Sequence, residues 1–185
     1  MHRRLVTFSK DAPGQEYAQF SNAYASPSPY VFEMPDYALR PNFPREVSCT
    51  SALKALMATK ASMMGDRSTF DKIVAEEDPQ MLKTLGRNVT PFDQKLWEVL
   101  LKKTAFEIVR QKFEADAGPR QLLLSTTDAL ICNANQADLI WGAGITVGDP
   151  RLQEPDKWPG GNLLGEALMS VREHFVLVNF GGGRL

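Results

Sequence analysis

The stretch TPFDQKLWEVLLKKTAFEIVRQKFEADAG, Thr90 to Gly118, constrains the fold of this chain more than any other. Its apolar residues Leu96, Leu100, Ala105, Ile108, Val109 and Phe113 recur at helical spacing, which predicts a long amphipathic helix with one core-facing side. Thr90 is suited to cap its start, Pro91 to sit in its first turn, and Gly118 to end it. A helix of this length must bury its stripe against other elements, and a chain of 185 residues is long enough to supply them within one domain. With 43% apolar and 23% charged residues, the composition is that of a folded globular protein rather than a disordered one.

The other elements follow from punctuation. The first fifty residues are rich in Pro, Ser and Tyr, and FSNAYASPSPYVFEMPDYALRPNFP reads as short extended pieces broken by turns that wrap the domain. From Cys49 the pattern turns helical, with Leu53, Leu56, Met57, Lys60 and Met64 on one stripe and Gly65 as a stop. Asp78-Pro79 starts another helix, PQMLKTLG, closed by Gly86. Two apolar runs follow the long helix, Gln121–Ser125 and Ala129–Cys132; length alone does not separate strand from helix end, and the second is read as a short strand. GDPRLQEPDKWPGG is a loop by its Gly, Pro and Asp content, and GNLLGEALMSVREHFVL is a last helix packed through Leu164, Leu168 and Val171. The expected fold class is α+β: a mainly helical single domain with short strands over residues 1–178, and a flexible C-terminal tail at 179–185.

Charge and cysteine usage narrow the chemistry. A net charge of −1 gives no global attraction to nucleic acid or anionic membrane, so any polyanion binding is local. No apolar run reaches the ~18–20 residues that span a bilayer, and MHRRLVTFSK is too polar for a signal-peptide core. The expected location is intracellular, cytoplasm or nucleus, with no membrane partner. Cys49 and Cys132 lie far apart with only His2 and His174 as companions, so neither a disulfide framework nor a metal site is expected, and no cofactor is called for. Both cysteines read as buried small hydrophobes.

Candidate chemistry concentrates in VSCTSALKALMATKASMM, which holds Lys54 and Lys60 and no carboxylate. Around Lys54 the helical neighbours are Thr50, Ser51, Met57 and Ala58, so no ion pair within the helix can hold its ammonium. It is either a solvated lysine with its stem over apolar neighbours or a lysine in a pocket, where a neutral amine can attack an electrophilic carbon. Lys60 has the same acid-free surroundings and suits a phosphate as a point charge. Trp97 and Trp141 are each either core or ligand contacts. In WGAG and WPGGNLLG, glycines beside an aromatic allow a ligand to approach the backbone closely. PGGN ahead of a helix offers backbone N–H groups to an anion. Asp138 reads equally as an acid or base and as a turn cap. No Ser-His-Asp or Cys-His set is present, His174 being the one internal histidine.

Taken in order, FSNAY with SPSPY, LMATK, LGRNV followed by FD and W, KF, DLIWGAGI and GGNLLGEALMSVRE resemble the blocks of the NADAR (YbiA-like) family over nearly the whole chain. The resemblance implies an N-glycosidase acting on a ribosylated amino group. Some members cleave phosphoribosylamino pyrimidines of riboflavin biosynthesis, and others remove ADP-ribose from guanine. Two departures favour the guanine branch: Leu53-Lys54 stands where riboflavin-type members carry Glu-His, and Asn133 stands where the family has a glutamate. Carried over, the ligand-contacting residues are Asn22, Lys60, Arg87, Trp97, Trp141, Gly161 and Asn162, with Lys54 and Asp138 as the catalytic pair.

The expected partner is ADP-ribosylated guanine in DNA or RNA, or an ADP-ribose-like nucleotide, while the oligomeric state stays open. A ribosyl aminal can open at C1 to an iminium, and Lys54 could capture C1 as a Schiff base, expel the base amine and release the sugar to water. In that scheme Lys60 and Arg87 hold the pyrophosphate, and Asp138 or water serves the leaving amine. The alternatives are direct oxocarbenium hydrolysis led by Asp138, a module that binds ADP-ribose without cleaving it, and the riboflavin-type glycosidase.

Overall fold

The structure is a computed structural model that describes residues 4–9 and 14–181. In chain order its elements are β1 (Leu5–Phe8), β2 (Tyr30–Glu33), β3 (Glu46–Cys49), α1 (Ala52–Met64), α2 (Arg67–Ala75), α3 (Pro79–Arg87), α4 (Gln94–Ala115), α5 (Ala117–Ser125), β4 (Leu130–Asn133) and α6 (Leu163–Gly181), with short 3-10 turns between some of them. The class is α+β and mainly helical, as expected. Two compact units divide the chain: Asn22–Ala115, called here the central unit, and Met1–Ser21 with Asp116–Leu185, the terminal unit.

The central unit is built around α1. Ser51 caps its start by accepting the Lys54 N–H, and Gly65 ends it at φ 77°, a left-handed position that glycine adopts without steric cost. Ala52, Ala55, Ala58 and Ala61 are fully enclosed, and side chains this small let α2, α3 and α4 close in on the helix. The single stripe expected for α1 is therefore corrected. The helix is buried on nearly all sides, and the two positions left partly exposed are Met57 and Lys60, both members of that stripe.

Three punctuation readings in this unit also need correction. The long helix starts not at Thr90-Pro91 but at Gln94, where Asp93 accepts the Leu96 N–H at 3.0 Å. Its core face is carried by Ala105, Ile108, Val109 and Phe113, whereas Leu96 and Leu100 are only partly buried. Asp78 does cap α3, but that helix passes through Gly86 to Arg87, with Asn88 as its C-cap. Gly86 lets the Met57 side chain of α1 lie against the α3 backbone, where a Cβ would force that side chain to move. Sequence reading had passed over α2, which Asp66 starts by accepting the Thr69 N–H at 3.0 Å. The other oxygen of Asp66 accepts the Thr90 N–H at 2.9 Å, so one buried carboxylate ties the segment before α4 to the start of α2. Strands β2 and β3 pair antiparallel, Tyr30 opposite Cys49, and turn Tyr30, Phe32, Val47 and Cys49 inward.

In the terminal unit β1 and β4 pair in parallel, Leu5 opposite Leu130. The strand reading for the second apolar run holds, and the first run is the end of α5. Gly118 ends nothing. The α4 helix stops at Ala115, and Asp116 caps α5 by accepting the Gly118 N–H. Helix α6 packs on β4 through Leu164, Leu168 and Val171, all buried as expected. Its buried Arg172 donates to Thr126 Oγ1 at 2.7 Å and to the Ala129 carbonyl at 3.0 Å, joining α6 to the segment between α5 and β4. The backbone of α6 continues to Gly181, so helix takes in the first residues of the expected tail, and 182–185 lie outside the described residues.

Candidate functional site

Lys54 occupies the first turn of α1 and is 3% exposed, which removes the solvated reading. The segment ahead of β2 helps to fix this turn: the Asn22 carbonyl accepts the Leu53 N–H at 2.8 Å, and the Thr50 carbonyl accepts the Ser26 N–H at 2.7 Å. Asn22 and Ser26 thus brace the start of α1, and Asn22 acts there through its main chain.

The anion that Lys54 lacks within its own helix is Glu77, in the link between α2 and α3. Lys54 Nζ lies 2.5 Å from Glu77 Oε1, and Thr50 Oγ1 donates to Glu77 Oε2. Helical spacing has no means of finding this partner, which is 23 residues away. One signal was available in the acid run Glu76-Glu77-Asp78 ahead of Pro79, where an N-cap accounts for only Asp78. Each acid has a separate task. Glu76 Oε1 accepts the N–H groups of Glu77 and Asp78, both at 2.9 Å, and pins the link. Asp78 caps α3 at 2.8 Å. Glu77 is left to reach Lys54. Partial burial pushes the Glu77 carboxyl up, but the hydrogen bonds from Lys54 and Thr50 outweigh it and hold the group below the ordinary glutamate range.

Cys49 neighbours this pair and Tyr30 neighbours Cys49, and neither competes for the pair's proton. Cys49, buried at the end of β3, feels both Lys54 and Glu77, and burial pushes its thiol up to about 12. Tyr30, opposite Cys49 on the ladder, is pushed above its ordinary range by burial. Its hydroxyl has no hydrogen-bond partner among the described residues.

Lys60 makes a different set of contacts. Its ammonium donates to the Gly86 carbonyl at 2.7 Å and sits 4.4 Å from the Phe92 ring centroid and 5.5 Å from that of Trp97. Burial pushes it below the ordinary lysine range. Phe92 and Trp97 stand 6.5 Å apart, centroid to centroid, and Phe92 is exposed. Arg87, next to Gly86 at the end of α3, is exposed as well. Lys60 and Trp97 are thus gathered with Phe92, a residue the sequence marks only within the FD block, and Arg87 enters only as the chain neighbour of Gly86. The cleft of about 460 Å³ in this unit lies elsewhere, and its arginines are already committed: Arg45 to Asp36 at 2.8 Å, Arg110 to Glu107 at 2.8 Å.

Asp138, Trp141, Gly161 and Asn162 belong to the terminal unit. The N–H groups of PGGN are not free for an anion, which corrects the expectation. Gly160, Gly161, Asn162, Leu163 and Leu164 donate to the carbonyls of Ala143, Leu139, Gly142, Ile140 and Trp141 at 2.9–3.2 Å. The DLIWGAG loop thus lies over the start of α6 and takes up its donors. Asp138 Oδ1 accepts the N–H groups of Ile140 and Trp141 at 3.0 and 2.8 Å, the turn-cap geometry. Asn162 is buried at φ 49°, and its amide accepts from Asn133 N and donates to the Ile131 carbonyl, both at 2.9 Å. Asn133 Nδ2 donates to the Trp141 carbonyl at 3.1 Å, while its buried Oδ1 has no partner among the described residues. Among the described residues no group of three or more His, Cys, Asp or Glu is placed to hold a metal, and no helix is long and apolar enough to cross a membrane.

Comparison with known proteins bears out the family resemblance. A family model described as NADAR domain matches residues 7–176. The N-glycosidase R617 of Acanthamoeba polyphaga mimivirus is 38% identical over 127 residues, 66% of this chain and 72% of the viral protein. Protein irg-1 of Caenorhabditis elegans is 31% identical over 158 residues, 83% of this chain and 74% of the nematode protein. Among solved structures, the NMR structure of the Escherichia coli protein YbiA superposes with a TM-score of 0.71 at 23% identity, covering 97% of this chain and 89% of YbiA. That last likeness speaks for the fold.

Proposed function

The chain belongs to the NADAR domain family, and from that premise we propose that it removes ADP-ribose from the exocyclic amino group of guanine, with Lys54 as the nucleophile. Hydrolysis of N-glycosyl bonds is the activity it shares with the N-glycosidases it resembles. The observation that carries the finer reading is the placement of Lys54: a lysine 3% exposed, in the first turn of a buried helix, with a carboxylate on its ammonium. A lysine serves as a nucleophile where solvent is excluded and a base stands beside it, and both conditions hold here.

The ribosyl aminal opens between C1 and the ring oxygen, leaving C1 as an iminium on the base nitrogen and the ring oxygen as an alkoxide that takes a proton from Nζ once the amine has added. The Lys54 amine adds to C1, the base nitrogen takes up a proton and departs as a free amine, and Lys54 holds the sugar as a Schiff base. Water then adds to C1 and the C1–Nζ bond breaks. Lys60 and Arg87 supply positive charge for a diphosphate, and the Phe92–Trp97 pair supplies aromatic surface for a base.

The test is an oligonucleotide carrying ADP-ribosylated guanine, read by release of free ADP-ribose, with and without borohydride. The expected result is release, a reductively trapped sugar adduct on Lys54, and loss of both in Lys54→Ala. Release without an adduct, or full activity of Lys54→Ala, overturns the nucleophile. An oligonucleotide that binds and stays intact over hours favours a binding module instead.

A further inference from the structure

We propose that Glu77 is the proton acceptor of this site: it takes a proton from Lys54 before the attack and returns it to the departing amine. This inference rests on Lys54 being the nucleophile. At rest the two groups form an ion pair at 2.5 Å, and an ammonium has no lone pair with which to attack carbon. The carboxylate that touches Nζ is the group placed to deprotonate it. Its second oxygen is held by Thr50 and its backbone by Glu76, so Oε1 stays aimed at Nζ while the remainder of the side chain, 56% exposed, faces solvent.

Two protons leave Nζ and two return. The first passes from Lys54 Nζ to Glu77 Oε1, and the freed lone pair forms the bond to C1. The second passes from Nζ to the ring oxygen, which the opening of the aminal leaves as an alkoxide. The bond from C1 to the base nitrogen then breaks as that nitrogen takes the proton from Glu77, and C1 is left double-bonded to Nζ. Glu77, again a carboxylate, accepts a proton from the water that attacks the Schiff base and returns it to Nζ as the C1–Nζ bond breaks, and the ring oxygen gives its proton back to Nζ as it recloses on C1. One water is consumed, the free amine and the free sugar are produced, and nothing is oxidised or reduced.

The surroundings isolate this exchange. The titratable groups beside the pair are Cys49 on β3, which feels both charges, and Glu76 in the same link, while Tyr30 on β2 neighbours Cys49. Burial keeps both the thiol and the phenol protonated across the acid and neutral range, and Glu76 is engaged with backbone N–H groups. The acid limb of a rate profile then belongs to Glu77.

The experiment uses the ADP-ribosylated guanine oligonucleotide with Lys54→Ala, Glu77→Gln and Glu77→Ala, each profiled against pH. For Glu77→Gln the expectation is a kcat lower by about 10²–10³-fold with KM within about twofold, and loss of the acid limb in kcat/KM. Because Glu77 is more than half exposed, Glu77→Ala leaves a gap that solvent can fill, and added formate should restore part of its rate. A purely structural role for Glu77 would show neither the loss of the limb nor rescue by formate, and that result overturns the proposal. Wild-type rates in Glu77→Gln beside an inactive Lys54→Ala also overturn it while leaving Lys54 as nucleophile. An active Lys54→Ala overturns both.

Discussion

The starts of α1 and α6 answer the same problem in opposite ways. Every helix begins with four N–H groups that have no partner within it. At α6 the DLIWGAG loop covers its first donors with carbonyls, Asp138 holds the turn of that loop, and the Asn162 side chain joins the helix start to β4; polar groups there meet backbone. At α1 the capping is light, Ser51 to Lys54 N at 3.3 Å and the Asn22 carbonyl to Leu53 N, and the first turn instead displays a buried ammonium against an exposed carboxylate. Glycines and asparagines in a motif can therefore serve architecture, whereas a charged group held in the interior by a single carboxylate that reaches in from the surface is poised for chemistry.

The largest effect expected from that contrast is the loss of Lys54. Lys54→Met keeps the apolar stem in its buried slot and removes the amine, so the release rate should fall by about a thousandfold or more, as removal of a nucleophile does. Glu77 is exposed, so no buried charge is stranded and the melting temperature should stay within a few degrees. A steady-state assay paired with a thermal melt checks both. A variant that unfolds instead would place Lys54 among the structural groups and erase the contrast with α6.

Next is Gly160→Ala, aimed at the other region. A Cβ there would collide with the Gly142 carbonyl and lie 2.8–2.9 Å from Ala143 C and Gly144 N, all backbone that cannot swing aside. Overpacking of this kind costs about 1–3 kcal/mol, which lowers the melting temperature by roughly 2–4 °C per kcal/mol in a chain of this size. A denaturant or thermal melt with an unshifted midpoint would mean that the loop gives way readily.

Third is the pH dependence of stability. The folded Glu77 carboxyl lies below its unfolded value, so the unfolded state binds the proton more tightly. Its stabilising contribution is fully present above the ordinary glutamate range and fades as pH falls through the lowered folded value. Melts of wild type and Glu77→Gln between pH 3 and 7 should differ most at the neutral end and converge in acid. Because the group is well exposed, the difference should be small. A gap that widened in acid would contradict the observed hydrogen bonds.

How much of this was legible in the sequence follows from the range of each signal. Local signals such as Asp78-Pro79, Gly65 and the Leu164, Leu168, Val171 face were correct because cap, stop and stripe act within one or two turns. Thr90-Pro91 misled because Asp93, three residues on, is also a capping residue and lies nearer the periodic run. In α1 the stripe was too narrow: Leu53, Leu56 and Met64 are buried as read, but alanines at the remaining positions, neutral in a sequence, are where neighbouring helices approach. Lys54 drew notice because its helix lacks acids, and Glu77 stayed hidden because its contact spans 23 residues. The glycine-rich loop suggested an anion site because sequence shows donors but not the carbonyls that fold onto them.

The smallest expected effect sharpens that last distinction. Gly161 neighbours Gly160, and both were read from the same string as ligand-approach glycines. A Cβ on Gly161 would lie 3.6 Å from the Ile140 carbonyl and 3.9 Å from that of Leu139, ordinary contact, and its φ is not in the left-handed region. Gly161→Ala should therefore change stability by no more than about 0.5 kcal/mol, the range of surface substitutions. Its N–H still donates to the Leu139 carbonyl at 2.9 Å, so the seal over α6 stays closed. If this variant melts normally yet binds ADP-ribose less tightly, Gly161 is a place of ligand approach; if binding is also intact, the string is architectural. A large loss of stability would show that the loop tolerates no side chain at either position, and the difference between the two glycines would vanish.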